Sequence, residues 1–310
     1  MNWSGVMPAM TTPFDTKIAV DHAFLSQHAT WLLDNGCTGL VMLGSLGEGA
    51  TLTVPEKITV LETAVRAAGK RGPVIASISS LSTGGAVELA QAAKDAGCTG
   101  IMVLPPYVYT SDWREMKQHV ATVIASTTLS CMLYNNPVAY KTDFTPEQIA
   151  ELAKEHSNLE AVKESSTDVR RVSGIREVLG DRLQIMVGVD DVLVEGVAAG
   201  ARGWVAGLVN AFPAESVALF NLASEHKHKE AFELYRWFLP LLRMDTVPKF
   251  VQLIKWVQEE VGVGSARVRA PRLEITGTEL AQAQLELSTA LKNLPSVRST
   301  PFPTLVGAQS

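Results

Sequence analysis

The tightest constraint on this chain is a joint that recurs: Gly36-Cys37-Thr38-Gly39-Leu40, Gly97-Cys98-Thr99-Gly100-Ile101 and, more loosely, Gly200-Ala201-Arg202-Gly203-Trp204. In each, a glycine ends a helix and the following residues begin a strand. The first two joints are separated by two βα units of about 30 residues each. Apolar, β-branched runs of strand length recur in step with them: GVMPAM, TGLVMLGS, PVIASIS, TGIMVLPP, LSCMLYN, LEAVKES, LQIMVGV and GWVAGLV. None alternates polar with apolar, as expected of parallel strands buried on both faces. The intervening segments carry helix signals. Thr53-Val54-Pro55-Glu56 and Thr145-Pro146-Glu147-Gln148 read as capping boxes, and Asp21 to Asn35 places Phe24, His28 and Leu32 at spacing four before Gly36. Evenly spaced βα units favour a closed (β/α)8 TIM barrel. A doubly wound sheet is the alternative, but no GxGxxG opens the first turn.

After Phe212-Pro213 the pattern turns wholly helical. We therefore expect a catalytic barrel over residues 1–215 and a C-terminal helical extension over 216–310, packed on the barrel. Its aromatic residues Phe232, Tyr235, Trp237, Phe238 and Trp256 suit a core or a subunit interface better than a ligand box. With 310 residues, 46% of them hydrophobic, the chain can bury one large core without a linker.

The net charge of −5 and the lack of a basic run with interleaved aromatics exclude a nucleic-acid partner. No window is apolar over the length of a membrane span, and the first residues, MNWSGVMPAMTTPF, have no basic start before an apolar stretch, so a cytoplasmic location is expected. Cys37, Cys98 and Cys131 form no CxxC, and the histidines give no HExxH. His226 and His228 read as a solvated helix face, and neither metal nor cofactor is expected.

In a barrel of this kind the reactive groups sit at the C-terminal ends of strands and in the loops that follow. After the second strand, Gly44-Ser45-Leu46-Gly47-Glu48-Gly49 offers backbone N–H groups and a hydroxyl to an anion such as a carboxylate; the same pattern also makes a tight turn capped by Ser45. Lys163, directly after Ala161-Val162 at the end of the sixth strand, is placed to be a desolvated nucleophile; it is equally placed to be a rim lysine paired with Glu164. Tyr134 ends the neighbouring fifth strand, where a phenol can give and take protons beside an amine or simply serve as a core tyrosine.

These motifs resemble the dihydrodipicolinate synthase/N-acetylneuraminate lyase family of class I Schiff-base barrels. GSLGEGATL is similar to the family's G-[ST]-[ST]-G-E turn, LYNNP to its Y-N-x-P and AVKES to its strand-six lysine motif. The resemblance implies that Lys163 is the Schiff-base lysine and Tyr134 the proton shuttle. It further implies that Ser45 and the Leu46 backbone hold the substrate carboxylate, that Gly188 and the Val205 carbonyl line the site, and that Tyr107 or Tyr109 reaches a neighbour within a homotetramer. The implied partner is a small 2-oxo or 2-imino acid. Ala139 stands where the family's synthases carry an arginine, and Leu46 replaces a hydroxyl residue.

YNNPVAYKTDFTPE, VKESSTDVRR and GWVAGLVNAFP look closest to the family's 1-pyrroline-4-hydroxy-2-carboxylate deaminases of hydroxyproline degradation, which release 2,5-dioxopentanoate and ammonia. A dihydrodipicolinate synthase-like aldolase, or an aldolase or dehydratase of 2-keto-3-deoxy sugar acids, would use the same lysine and tyrosine. A non-catalytic ligand-binding relative is the alternative from another class.

Overall fold

The computed structural model describes residues 1–107 and 109–303; Val108 and residues 304–310, the end of the expected extension, lie outside it. Eight strands, β1 Gly5–Pro8, β2 Leu40–Met42, β3 Val74–Ile78, β4 Gly100–Val103, β5 Ser130–Asn135, β6 Leu159–Glu164, β7 Gln184–Val187 and β8 Gly203–Ala206, pair in parallel in the order β1-β8-β7-β6-β5-β4-β3-β2. A parallel bridge from Ala9 to Val41 closes β1 on β2. The result is a (β/α)8 barrel. The helices are α1 His22–Asp34, α2 Val54–Ala68, α3 Thr83–Asp95, α4 Trp113–Ala125, α5 Pro137–Tyr140, α6 Pro146–Glu155, α7 Arg170–Leu179, α8 Leu193–Ala198, α9 Pro213–Ser224, α10 His228–Leu242, α11 Phe250–Glu260 and α12 Gly277–Lys292.

The local causes match the sequence signals. Thr53 and Thr145 accept from Glu56 N and Gln148 N, while the Glu56 and Gln148 side chains bond back to the cap N–H groups, so both boxes form. Gly36 and Gly97 end their helices at φ values of +93° and +91°, a conformation that costs a residue with a Cβ.

Two cores explain why the strands do not alternate in polarity. Val6, Leu40, Met42, Ile101, Leu133, Val162 and Ile185 face outward and pack against the helices. Met7, Val41, Ile75, Met102, Met132, Ala161, Met186 and Val205 face inward and fill the barrel. The pleat has a period of two, so Tyr134 follows Met132, and Lys163 follows Ala161, onto the inner face at the C-terminal ends of β5 and β6. In the extension, Tyr235, Phe238 and Trp256 are buried while Phe232 remains exposed. His226 and His228 are exposed and the three cysteines buried. No helix among the described residues is long and apolar enough to cross a membrane.

Candidate active site

A cavity of about 570 Å³ opens at the C-terminal mouth of the barrel, lined by Ser45, Leu46, Tyr134, Lys163, Gly188 and Val205 together with Tyr107, Ala139, Tyr140, Asp245 and Arg272. Six of the seven residues expected from sequence therefore meet around one space. Tyr109 stands outside it, 55% exposed, while Tyr107 reaches the lining.

Tyr134 and Lys163 are register partners on β5 and β6, and the Lys163 ammonium lies 4.4 Å from the Tyr134 ring centroid. Burial brings the Lys163 amine down to about 8, against the opposing pull of Asp245 and Asp190. Desolvation favours the neutral, nucleophilic form, and nearby carboxylates favour the charged one; here burial wins. The bland alternative, a rim lysine paired with Glu164, does not hold. Successive residues on a strand point to opposite faces, so Glu164 turns outward to Asn135 Nδ2 at 3.0 Å and Ser166 N at 2.6 Å.

Burial also raises the Tyr134 phenol, which keeps its proton at neutral pH, while Asn136 Nδ2 donates to its oxygen at 2.9 Å. Gly188 permits the close approach of the lysine. A Cβ there would lie 2.7 Å from Lys163 Cε and 2.0 Å from Ser165 Oγ, whose hydroxyl donates to the Gly188 carbonyl at 3.0 Å.

The glycine turn after β2 is pinned from below. Thr12 Oγ1 donates to the Gly47 carbonyl at 2.6 Å, and Glu48, at φ +52°, turns its buried carboxylate toward Lys255 Nζ at 2.9 Å and Arg269 N at 2.9 Å. With the turn so held, the N–H groups of Ser45 and Leu46 bond to no acceptor among the described residues. They form a concavity suited to an anion.

Three residues were not assigned to the site from sequence. Tyr140 is swung inward by α5, whose first turn is capped by Asn136; its hydroxyl bonds Ser45 Oγ at 2.5 Å and its ring meets Tyr134 edge to face at 5.7 Å. The loop run Ala139-Tyr140-Lys141 carried no pattern that would orient it. Asp190 lies in the VGVDD run beside Gly188 and accepts from Trp204 Nε1, Gly207 N and Leu208 N at 2.9–3.2 Å, tying the end of β7 to the end of β8. Asp245 comes from the single-turn 3-10 helix Arg243–Asp245 between α10 and α11, far along the chain and without a local signal. Among the described residues no cluster of His, Cys, Asp and Glu is gathered to hold a metal.

A family model described as the dihydrodipicolinate synthetase family matches residues 2–293. A 4-hydroxy-tetrahydrodipicolinate synthase of Methanococcus maripaludis is 32% identical over 292 residues, 94% of this chain and 98% of its own length. That of Methanocaldococcus jannaschii is 30% identical over 275 residues, 88% of this chain and 94% of its own. Among solved structures, the 4-hydroxy-tetrahydrodipicolinate synthase of Methylacidiphilum fumariolicum SolV superposes with a TM-score of 0.91 at 27% identity, covering 94% of this chain and 97% of that one. A prophage protein of E. coli K12 from the dihydrodipicolinic acid synthase family, solved with pyruvate, superposes with a TM-score of 0.88 at 26% identity, covering 94% and 99%.

Proposed function

Because this chain belongs to the dihydrodipicolinate synthetase family of Schiff-base lyases, we propose that Lys163 forms an imine with a small 2-oxo or cyclic 2-imino acid and that Tyr134 carries the protons. The observation behind this reading is the depressed Lys163 amine held 4.4 Å from the Tyr134 ring inside the barrel mouth. The substrate carboxylate sits on the Ser45 hydroxyl and the free N–H groups of Ser45 and Leu46. This anchoring sets C2 before the lysine. The amine attacks C2, the resulting oxygen or ring nitrogen takes a proton through Tyr134, and the protonated imine then draws electrons from C3. Gly188 and Val205 complete the wall. No resident cofactor enters the scheme.

Of the finer readings, an aldolase-type lyase using pyruvate has the support of the relatives' names, which are those of synthases. A second reading, the deamination of 1-pyrroline-4-hydroxy-2-carboxylate to 2,5-dioxopentanoate and ammonia, rests on one observation. Ala139 lines the cavity at the position where the family's synthases are expected to carry an arginine, and among the described residues the one further cation lining the cavity besides Lys163, Arg272, faces Glu48 at 4.0 Å. A second carboxylate on the substrate would therefore lack a free partner. Two assays separate the readings: carbon–carbon bond formation between pyruvate and an amino-acid aldehyde, and release of ammonia with 2,5-dioxopentanoate from the cyclic imine. Turnover in the first alone establishes the aldolase, and turnover in the second alone the deaminase.

Assembly into a homotetramer, with exposed Tyr109 reaching a neighbouring subunit, belongs to the same proposal, as does the division into a barrel at 1–215 and an extension at 216–310. A light-scattering mass of four chains supports the assembly, and a mass of one chain removes it.

A further inference from the structure

A carboxyl group stands in the cavity that neither the lysine nor the tyrosine chemistry uses. Two aspartates bear on Lys163, and their surroundings differ. Asp190 is fully buried and accepts from an indole and two backbone N–H groups, a structural arrangement. Asp245 lines the cavity beside Lys163 and Tyr134 and lies so close over Gly207 that a Cβ there would be 2.1 Å from its Oδ1. No described residue donates a hydrogen bond to its carboxyl. The charged groups that face it are Lys163, Asp190 and Asp191, the last of which is drawn toward Arg243 at 3.6 Å. Burial, reinforced by the negative charge of Asp190, raises Asp245 well above the usual carboxylate range. Burial draws such an acid toward its protonated form, and no described residue stands hydrogen-bonded to its carboxyl to take the proton.

We propose that Asp245 is the catalytic acid that protonates a hydroxyl leaving from C4 of the Lys163-bound substrate, so that this chain carries out an elimination of water on a 4-hydroxylated 2-oxo or cyclic 2-imino acid. The inference rests on the Schiff-base reading above. The step balances without an added reactant. The protonated imine loses its C3 proton to the Tyr134 oxygen, which gave up its own proton during imine formation, and becomes the enamine; the nitrogen lone pair re-forms C2=N as the C2=C3 pair moves to C3=C4; the C4–O bond breaks, and its oxygen takes the Asp245 proton and departs as water. Cleavage of C3–C4 in the same substrate needs the opposite service, a base that removes the proton of the 4-hydroxyl. A carboxyl drawn toward its protonated form is poorly suited to that. Asp245 thus selects C–O over C–C bond breaking at a lysine and tyrosine that serve both.

The test uses the full chain and two probes, 1-pyrroline-4-hydroxy-2-carboxylate and a 3-deoxy-2-oxo pentonate, with products resolved by mass spectrometry. The wild-type protein is expected to dehydrate at least one probe without releasing pyruvate. Asp245→Asn should lose that turnover about 100-fold, the scale of removing a general acid, a loss far larger than any change in the borohydride-trapped pyruvate adduct on Lys163. Asp245→Ala with added formate should regain part of the lost rate. Pyruvate as the main wild-type product, dehydration of neither probe, or an Asn variant that dehydrates within a few-fold of wild type would each overturn the proposal. So would a folded Asn variant that loses the pyruvate adduct, since Asp245 would then act on the amine and not on the leaving group. If a variant does not fold, the wild-type product ratio still decides. Failure of the Schiff-base reading itself would show separately, as a wild-type protein that traps no pyruvate at all.

Discussion

Lys163 owes its surroundings to one strand position: a register partner in Tyr134, a glycine in front of it and a desolvated amine. Only the neutral amine attacks, so the initial rate of borohydride-trapped adduct formation with pyruvate should rise with pH and reach half its plateau near 8. A half-point near that of free lysine, about 10.4, would mean that burial does not govern the amine. Gly188→Ala would place a methyl 2.7 Å from Lys163 Cε and 2.0 Å from Ser165 Oγ. Displacing the nucleophile by about 1 Å can cost about 100-fold, and a comparable fall in adduct formation is expected, with the circular dichroism spectrum unchanged. The place of Lys163 and Tyr134 at the barrel mouth was legible in the sequence because a barrel strand has a fixed period and a functional end. Asp245 was not, since it reaches the site from a turn beyond the last strand, and Tyr140 was not, since only the short helix α5 aims it at Ser45.

Among the elements, the glycine turn after β2 depends most on the distant part of the chain. Its Glu48 carboxylate is fully buried, and Lys255 from α11, 1% exposed, donates to it and to the Thr12 carbonyl. Removing one member of a buried pair strands the other, at a cost of about 3–5 kcal/mol. Lys255→Met should therefore lower the urea midpoint by an amount on that scale and weaken substrate-carboxylate binding. The double variant with Glu48→Gln should recover much of the stability, because neither member of the buried pair is then left charged, and Arg272, the other cation near Glu48, is partly exposed to solvent. An unchanged midpoint in the single variant would refute the role given to the pair. Helix ends were readable because capping is local: both capping boxes form. The Glu48–Lys255 pair was not readable, since two charges more than 200 positions apart carry no shared pattern.

At the scale of the whole molecule, the recurring glycine joints and the doubly buried strands identified a closed parallel barrel, and closure by a single β1–β2 bridge is the detail they did not contain. His28, fully buried on α1, ties that helix to the segment beyond β8, its Nε2 contacting the Asn210 carbonyl at 2.9 Å. Burial lowers His28 to about 4. Because its folded value lies below the unfolded value of about 6.5, the unfolded chain takes up a proton that the folded one refuses, so stability falls as pH drops from about 6.5 toward 4. The wild-type melting temperature should decline over that window more steeply than that of His28→Gln; equal slopes would exclude His28 as the cause. Fold, cavity and family meet in one claim, that Lys163 binds a 2-oxo acid covalently, and peptide mapping after borohydride reduction in the presence of pyruvate tests it most directly. A pyruvate-derived mass increment on the Lys163 peptide alone, absent from Lys163→Ala, is the expected result; no adduct, or an adduct on another lysine, would contradict it.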